Sequence, residues 1–315
     1  MKDKNRYGYA CINVQLADRD ISANCGMVKK TFESKGLDYV SEIAINNINA
    51  LKQILQWNEQ HYIKLYRVTS NLFPWMSEYE ITELPRFNEI KKLLHDCGKI
   101  AIDTDQRLTF HPGPFNVLGS PDEKAVTKTI KDLNQHSQIF DLMGLKSCQY
   151  YPVNIHVGGT YDSKEDTLKR FCENFKKLSQ SAKNRLVIEN DDRASMYSVV
   201  DLYAGIYMRI GIPITFDYHH HRFNSGDLIE ERALKLAASS WPKGIKQLVH
   251  YSSSKKTFED PKSKAHAHAD WIYEKIKTHG LELDIELEAK AKELAVLDYH
   301  RRKNDKSLLN EYIEL

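Results

Sequence analysis

Short apolar runs alternate along this chain with longer stretches of helical spacing, and no other feature of the sequence restricts the fold so tightly. Eight runs read as strands: Tyr7 to Asn13, Lys64 to Val68, Arg107 to His111, Val153 to His156, Leu186 to Glu189, Pro213 to Asp217, Gln247 to His250 and Asp284 to Glu288. Most lack polar/apolar alternation, as expected of parallel strands covered on both faces. Between them, Ile45, Ile48, Leu51 and Leu55 form one apolar helical stripe, and Leu168, Phe171, Phe175 and Leu178 form another. Ser120-Pro-Asp-Glu123 reads as a capping box with proline at the first helical position, opening a helix that Gly144 ends. Helical stretches near 195–210, 227–240, 266–279 and 289–301 complete the alternation. Eight strand–helix units in 315 residues predict an α/β fold, a (β/α)8 TIM barrel, as one domain over 1–301 with a tail over 302–315. An open doubly wound sheet is the alternative, weakened because no Gly-x-Gly-x-x-Gly or Walker loop follows any strand.

Charge excludes a sequence-wide attraction to polyanions. The 45 basic and 43 acidic residues leave a formal net charge of +2, so an anionic partner must be held by a local site. Cys11, Cys25, Cys97, Cys148 and Cys172 form no Cys-x-x-Cys and are odd in number, which predicts reduced thiols. The opening Met-Lys-Asp-Lys-Asn-Arg has none of the apolar stretch of a signal peptide, and no segment approaches a membrane span. A cytoplasmic protein is expected, nuclear in a eukaryote, without a membrane partner and acting as a monomer.

The residues that terminate the runs carry the chemistry. His111, His156, Glu189, Asp217, His250 and Glu288 close strands three to eight, His220 follows Asp217 by three positions, and His266 and His268 lie in the helix expected after strand seven. In a closed barrel these positions converge on one mouth. Singly, each has an ordinary alternative: a turn histidine before Pro112-Gly113, a carboxylate paired with a neighbouring Lys or Arg, a solvated helix start. Together, histidines and carboxylates without thiolates suit zinc, manganese or iron, and a shared carboxylate can bridge two ions. Such clusters serve phosphodiester hydrolysis and sugar isomerisation. His61, His95, His136, His279 and His300 fall in helical segments and read as surface or core residues.

At these residues the chain resembles the UV damage endonuclease family. The resemblance runs from Tyr7 to about Lys292 through Gly8-Tyr9 with Asn13, Tyr66-Arg67 with Phe73-Pro74, Phe110-His111-Pro112-Gly113 and Ile155-His156-Val157-Gly158-Gly159. It continues through Ile188-Glu189-Asn190-Asp191-Asp192, Phe216-Asp217-Tyr218-His219-His220, Val249-His250-Tyr251-Ser252, His268-Ala269-Asp270 and Glu286-Leu287-Glu288-Ala289-Lys290. It implies a barrel related to apurinic endonucleases and xylose-isomerase-like proteins, a site of three divalent ions, manganese foremost with zinc also suited, and damaged double-stranded DNA as substrate. His111, His156 and a bridging Glu189 would hold one ion. Asp217, His250 and Glu288 would hold a second with Glu189, and His220 and His268 the third, with His266 a further candidate. Glu189, Asp217 and Glu288 are the implied catalytic carboxylates.

The same resemblance puts Tyr9, Asn13, Arg67, Pro114 and Phe115 against the lesion or its backbone. Packing, a strand-end cap and a barrel ion pair are the alternatives for Tyr9, Asn13 and Arg67. Two positions depart from the family pattern. Pro114 and Phe115 stand where members often carry Gln and an aromatic residue, and Pro114 has no amide to donate. Leu248 occupies the position of a lysine modified in some members, and that role does not pass to Lys246. Lys255, Lys256, Lys262 and Lys264 form a basic run that either follows a DNA backbone or lies solvated. The implied activity is hydrolysis of the phosphodiester immediately 5′ to a photoproduct or other distorting lesion, leaving a 3′ hydroxyl. Apurinic-site endonuclease, sugar isomerase or epimerase, and a metal-binding damage-recognition protein without turnover are the alternatives.

Overall fold

A computed structural model describes residues 4–161 and 163–304; the expected tail from residue 305 onward lies outside them. Its eight parallel strands close into one barrel in sequence order. They are β1 (Arg6–Ala10), β2 (Leu65–Val68), β3 (Arg107–Phe110), β4 (Val153–Ile155), β5 (Leu186–Glu189), β6 (Ile214–Asp217), β7 (Gln247–Tyr251) and β8 (Leu283–Leu287). The TIM-barrel expectation is met, with strand ends moved by one to three residues. Every strand residue except Arg6 is buried, which explains the missing alternation. The expected first strand stops at Ala10 because Cys11 turns to φ 68° and Asn13 caps a short helix, accepting the Leu16 N–H at 2.9 Å.

The described residues fall into two compact units, Cys11–Ile188 and the remainder. In the first, the helix Lys29–Gln60 kinks at Gly36 (φ 62°) and buries Ile45, Ile48, Leu51 and Leu55. The helix Glu123–Leu142 starts two residues later than the expected Pro121. Asp122 is its N-cap, accepting the Lys124 N–H at 2.9 Å, while Ser120 Oγ accepts the Asp122 N–H. Gly144, at φ 75°, follows its end as the sequence predicts. Before β5, the fully buried Arg185 donates to Asp141, Ser181 and the Leu145 carbonyl. At the start of β3, buried Arg107 donates to the Tyr150 and Gln149 carbonyls.

In the second unit β1 pairs with β8, β6 with β7 and β7 with β8. The helix expected over 266–279 is absent; that stretch is irregular and holds two bridge residues, His268, paired with Ser254, and Glu274. Its amides have tertiary acceptors in place of carbonyls one turn back. Ala269 N–H donates to the Ser253 carbonyl, Tyr273 N–H to Ser253 Oγ and Ile276 N–H to Tyr299 Oη. At the other end, residues 302–304, expected to belong to the tail, continue the helix Glu293–Asn304. All five cysteines are free, and no helix of the described residues is long and apolar enough to cross a membrane.

Candidate metal centre

Strand register sets up the site. Asp217 on β6 lies beside His250 on β7, and His250 lies beside Glu286 on β8, so one row across three strands carries carboxylate, imidazole, carboxylate. All three are buried. His250 Nε2 is 3.2 Å from Glu286 Oε2, whereas its Nδ1 lies 3.1 Å from Glu189 Oε2 and 3.5 Å from Glu288 Oε1. A proton on Nε2 shared with Glu286 leaves the Nδ1 lone pair directed at Glu189 and Glu288, the orientation of a metal-ligating histidine held by a carboxylate.

The spacing of Asp217 and His220 has a local cause. Asp217 ends β6 and is also the N-cap of the helix Tyr218–Phe223, its Oδ1 accepting the His220 N–H at 2.8 Å. An N-cap carboxylate reaches the third residue of its helix, so the turn folds His220 over the strand end. His220 Nδ1 then sits 2.9 Å from the Asn190 carbonyl, 3.4 Å from Glu189 Oε1 and 3.8 Å from Asp217 Oδ2. Asn190 ties the strand ends together: its Oδ1 accepts the Asp217 N–H at 2.9 Å and its Nδ2 donates to the Asp217 carbonyl at 3.0 Å.

The ligand atoms of Glu189, Asp217 and His220 lie within 4.8 Å of one another, as do those of Asp217, His250 and Glu288. His220 therefore groups with Glu189 and Asp217 more closely than with His268, whose ring centroid is 6.5 Å from its own. His268 Nδ1 stands 3.1 Å from the Glu288 carbonyl and 3.5 Å from Glu288 Oε2. His266 pairs with Asp192 at 3.0 Å and packs on Phe223. In the other unit, the rings of His111 and His156, just past β3 and β4, are 5.4 Å apart.

These residues fit a divalent cation. Burial raises the pKa of Asp217, and Glu189 and Glu288 push it the same way against the opposing pull of His220 and His250. Its Oδ2 is buried with no hydrogen-bond donor. A buried carboxylate in that position calls for a positive charge, and oxygen and imidazole donors suit manganese or zinc. His219, by contrast, is fully buried, and desolvation lowers its pKa to about 4, so it is neutral at physiological pH. His221 packs against Phe216.

The residues expected against DNA are placed unequally. Tyr9 is fully buried in β1, Asn13 is buried and occupied as a helix cap, and Arg67 is 8% exposed at β2. Pro114 and Phe115 are exposed, Phe115 at 89%, beside a cavity of about 780 Å³ lined also by Phe73, Trp75 and His136. Leu248 is buried in β7, and Lys246 donates to the Lys4 carbonyl. Lys255 is held by Asp270 at 3.4 Å and Glu259 at 3.7 Å. Sequence reasoning passed over Glu286, Asn190 and Asp192 as site residues. For Glu286 a signal existed: Asp284, Glu286 and Glu288 alternate with Ile285 and Leu287, the period that puts all three acids on one face.

Known proteins similar in sequence to this chain fall in one family. The family model UV-endonuclease UvdE matches residues 5–312. The UV-damage endonuclease of Schizosaccharomyces pombe is 34% identical over 310 residues, which cover 95% of this chain and 51% of that protein. The UV DNA damage endonuclease of Bacillus cereus is 31% identical, with 92% of each chain covered. The chain thus spans about half the length of the yeast relative and nearly all of the bacterial one. The crystal structure of SacUVDE superposes with a TM-score of 0.82 at 30% identity, covering 94% of this chain and 97% of that one. Endonuclease IV from Thermus thermophilus shares the fold, with a TM-score of 0.52 at 12% identity over 97% and 99% of the chains. The chain belongs to the UvdE family of UV endonucleases.

Proposed function

We propose that this protein is a metal-dependent DNA repair endonuclease that hydrolyses the phosphodiester immediately 5′ to a UV photoproduct or other distorting lesion and leaves a 3′ hydroxyl. One observation carries the reading: Glu189 turns Oε1 toward His220 at 3.4 Å and Oε2 toward His250 at 3.1 Å, the disposition of a carboxylate that bridges two cations. His111 and His156 would complete the ligands on one side of Glu189, Asp217, His250 and Glu288 on the other, and His220 with His268 would hold a third ion. Divalent ions bound there would supply Lewis acidity, a nucleophile at neutral pH and neutralisation of the phosphoryl charge.

The chain's own groups do the rest. Glu286 holds the His250 imidazole in one tautomer, Asn190 holds the β5 and β6 ends in register, and the Asp217 cap fixes His220. Phe115, with its ring in solvent, is suited to stack on an unstacked base, and Pro114 stiffens the loop that carries it. Double-stranded DNA bearing lesions is the substrate, and its binding weakens with salt.

The test is incision of an end-labelled duplex with one photoproduct by the manganese-loaded protein. A nick one phosphodiester 5′ to the lesion, lost in Glu189→Ala, is expected. A duplex left intact under every divalent metal contradicts the reading.

A further inference from the structure

A second cavity, of about 400 Å³, opens between the helix Tyr218–Phe223, the end of β7 and the irregular segment near 274–277. None of the proposed metal ligands lines it. Its walls mix apolar surface with polar groups, and hydrogen bonding inside the protein occupies both oxygens of Glu274 and one of Glu230. Glu274, buried, gives one carboxylate oxygen to Arg222 at 2.6 Å and the other to Ser253 at 2.6 Å. Glu230 takes the His279 imidazole at 2.9 Å.

The donors are less spent. Among the described residues, Arg222 bonds through Nη2, to Glu274 and to the Tyr251 hydroxyl at 3.4 Å, and its Nε and Nη1 make no hydrogen bond. Tyr251 Oη accepts that bond, and its own proton is left to give. His219 also borders the cavity, but both of its ring nitrogens are buried away from it and have no hydrogen-bond partner among the described residues, so it contributes wall and no donor. Lys275 and Lys277 add positive charge at the rim.

Three cationic side chains, Arg222, Lys275 and Lys277, against two carboxylates, Glu230 and Glu274, suit this pocket to an acceptor-rich anion. A guanidinium with its Nε and Nη1 edge open matches two oxygens of a tetrahedral oxyanion. The volume lies in the range of small-molecule sites, above what one phosphate group fills, so a phosphate carrying an organic substituent fits.

We propose that this cavity is a phosphate-binding site separate from the metal centre, with Arg222 gripping the oxyanion through Nε and Nη1 and Tyr251 Oη as a further donor. The phosphate can come from the backbone of bound DNA or from a free phosphorylated molecule; the chemistry of recognition is the same.

Calorimetric titration of inorganic phosphate into the metal-loaded protein tests it. Phosphate bound at the metals is separated from phosphate bound here by two variants. Binding at the cavity persists in Glu189→Gln and weakens at least tenfold in Arg222→Lys, which keeps a cation for Glu274 and loses the guanidinium edge. Tyr251→Phe, which deletes one hydroxyl, weakens it several-fold and decides the matter if Arg222→Lys does not fold. Phosphate affinity in both variants equal to wild type, or phosphate binding wholly abolished by Glu189→Gln, overturns the site. The source is read from duplex affinity against salt. If a backbone phosphate occupies the cavity, Arg222→Gln, which removes the cation, lowers the slope of log K on log salt by about 0.9. An unchanged slope with phosphate affinity lost assigns the cavity to a free phosphorylated molecule. Because this readout is binding, absence of incision would count against the proposed activity and leave the phosphate site standing.

Discussion

Buried charge is handled in opposite ways at the two ends of the strands. At the N-terminal ends, Arg107 and Arg185 are as buried as any hydrophobic residue, and carbonyls, Ser181 and Asp141 take their protons. At the C-terminal ends of β5 to β8, Glu189, Asp217, Glu286 and Glu288 crowd around two imidazoles, and Asp217 keeps a buried oxygen with no donor. In the first, groups of the chain itself hold the guanidiniums, although Arg185 Nε has no acceptor among the described residues, and the arrangement serves the fold. The second is short of positive charge within the chain, and bound cations would complete it, serving function at some expense of stability.

Substitutions can break that contrast. Arg185→Ala deletes a fully buried side chain and its bonds to Ser181 and the Leu145 carbonyl and should cost roughly 2–5 kcal/mol in chemical denaturation. The metal content of the folded fraction should stay unchanged; loss of metal there would erase the distinction between the two ends. The histidine run sharpens the contrast within a few residues. His221→Ala should cost about 2 kcal/mol of stability through lost packing on Phe216 and keep its metal, while His220→Ala should keep its stability and lose metal and incision. Equal metal losses in the two would mean that the wrong imidazole has been assigned.

Smaller effects probe the supporting groups. Glu286→Gln keeps the shape but weakens the hold on His250 Nε2, and metal affinity by competition with a chelator should fall roughly 10–100-fold. The pH dependence of the metal-free protein follows from Asp217. Its pKa is raised in the folded state, so its contribution to stability is complete below the unfolded value and is lost as pH rises through the folded one. Asp217→Asn should flatten that decline, by at most about 1.4 kcal/mol per pH unit. Metal-free melting curves from pH 4 to 8 check it, and identical slopes in the two proteins would place the buried charge elsewhere.

The barrel was readable from sequence because parallel strands covered on both faces are compact apolar runs, and all eight appear within three residues of their expected ends. The candidate ligands Glu189, Asp217, His111, His156, His250 and Glu288 were legible as a set because they lie at or just past the ends of those runs. What failed depended on distant partners. Residues 266–279 have helical spacing, yet Ser253 and Tyr299 take their amides. Ser120 fits a capping box, yet Asp122 reaches the helix amides first. Glu286 was legible by parity on β8, but its role depends on standing beside His250 across the β7–β8 ladder, and no single strand reveals that register. Asn13 and Arg67 read equally well as DNA contacts or as packing, and their burial is what separates them from the exposed Phe115.

The most direct test is the metal content, by plasma mass spectrometry, of protein purified without chelators, beside Glu189→Ala prepared the same way. The arrangement of Glu189 between His220 and His250 predicts more than one divalent ion per wild-type chain and a marked loss in the variant. A wild-type protein with less than one ion per chain after manganese or zinc loading, or a variant that retains the full complement, would contradict a metal centre bridged by Glu189.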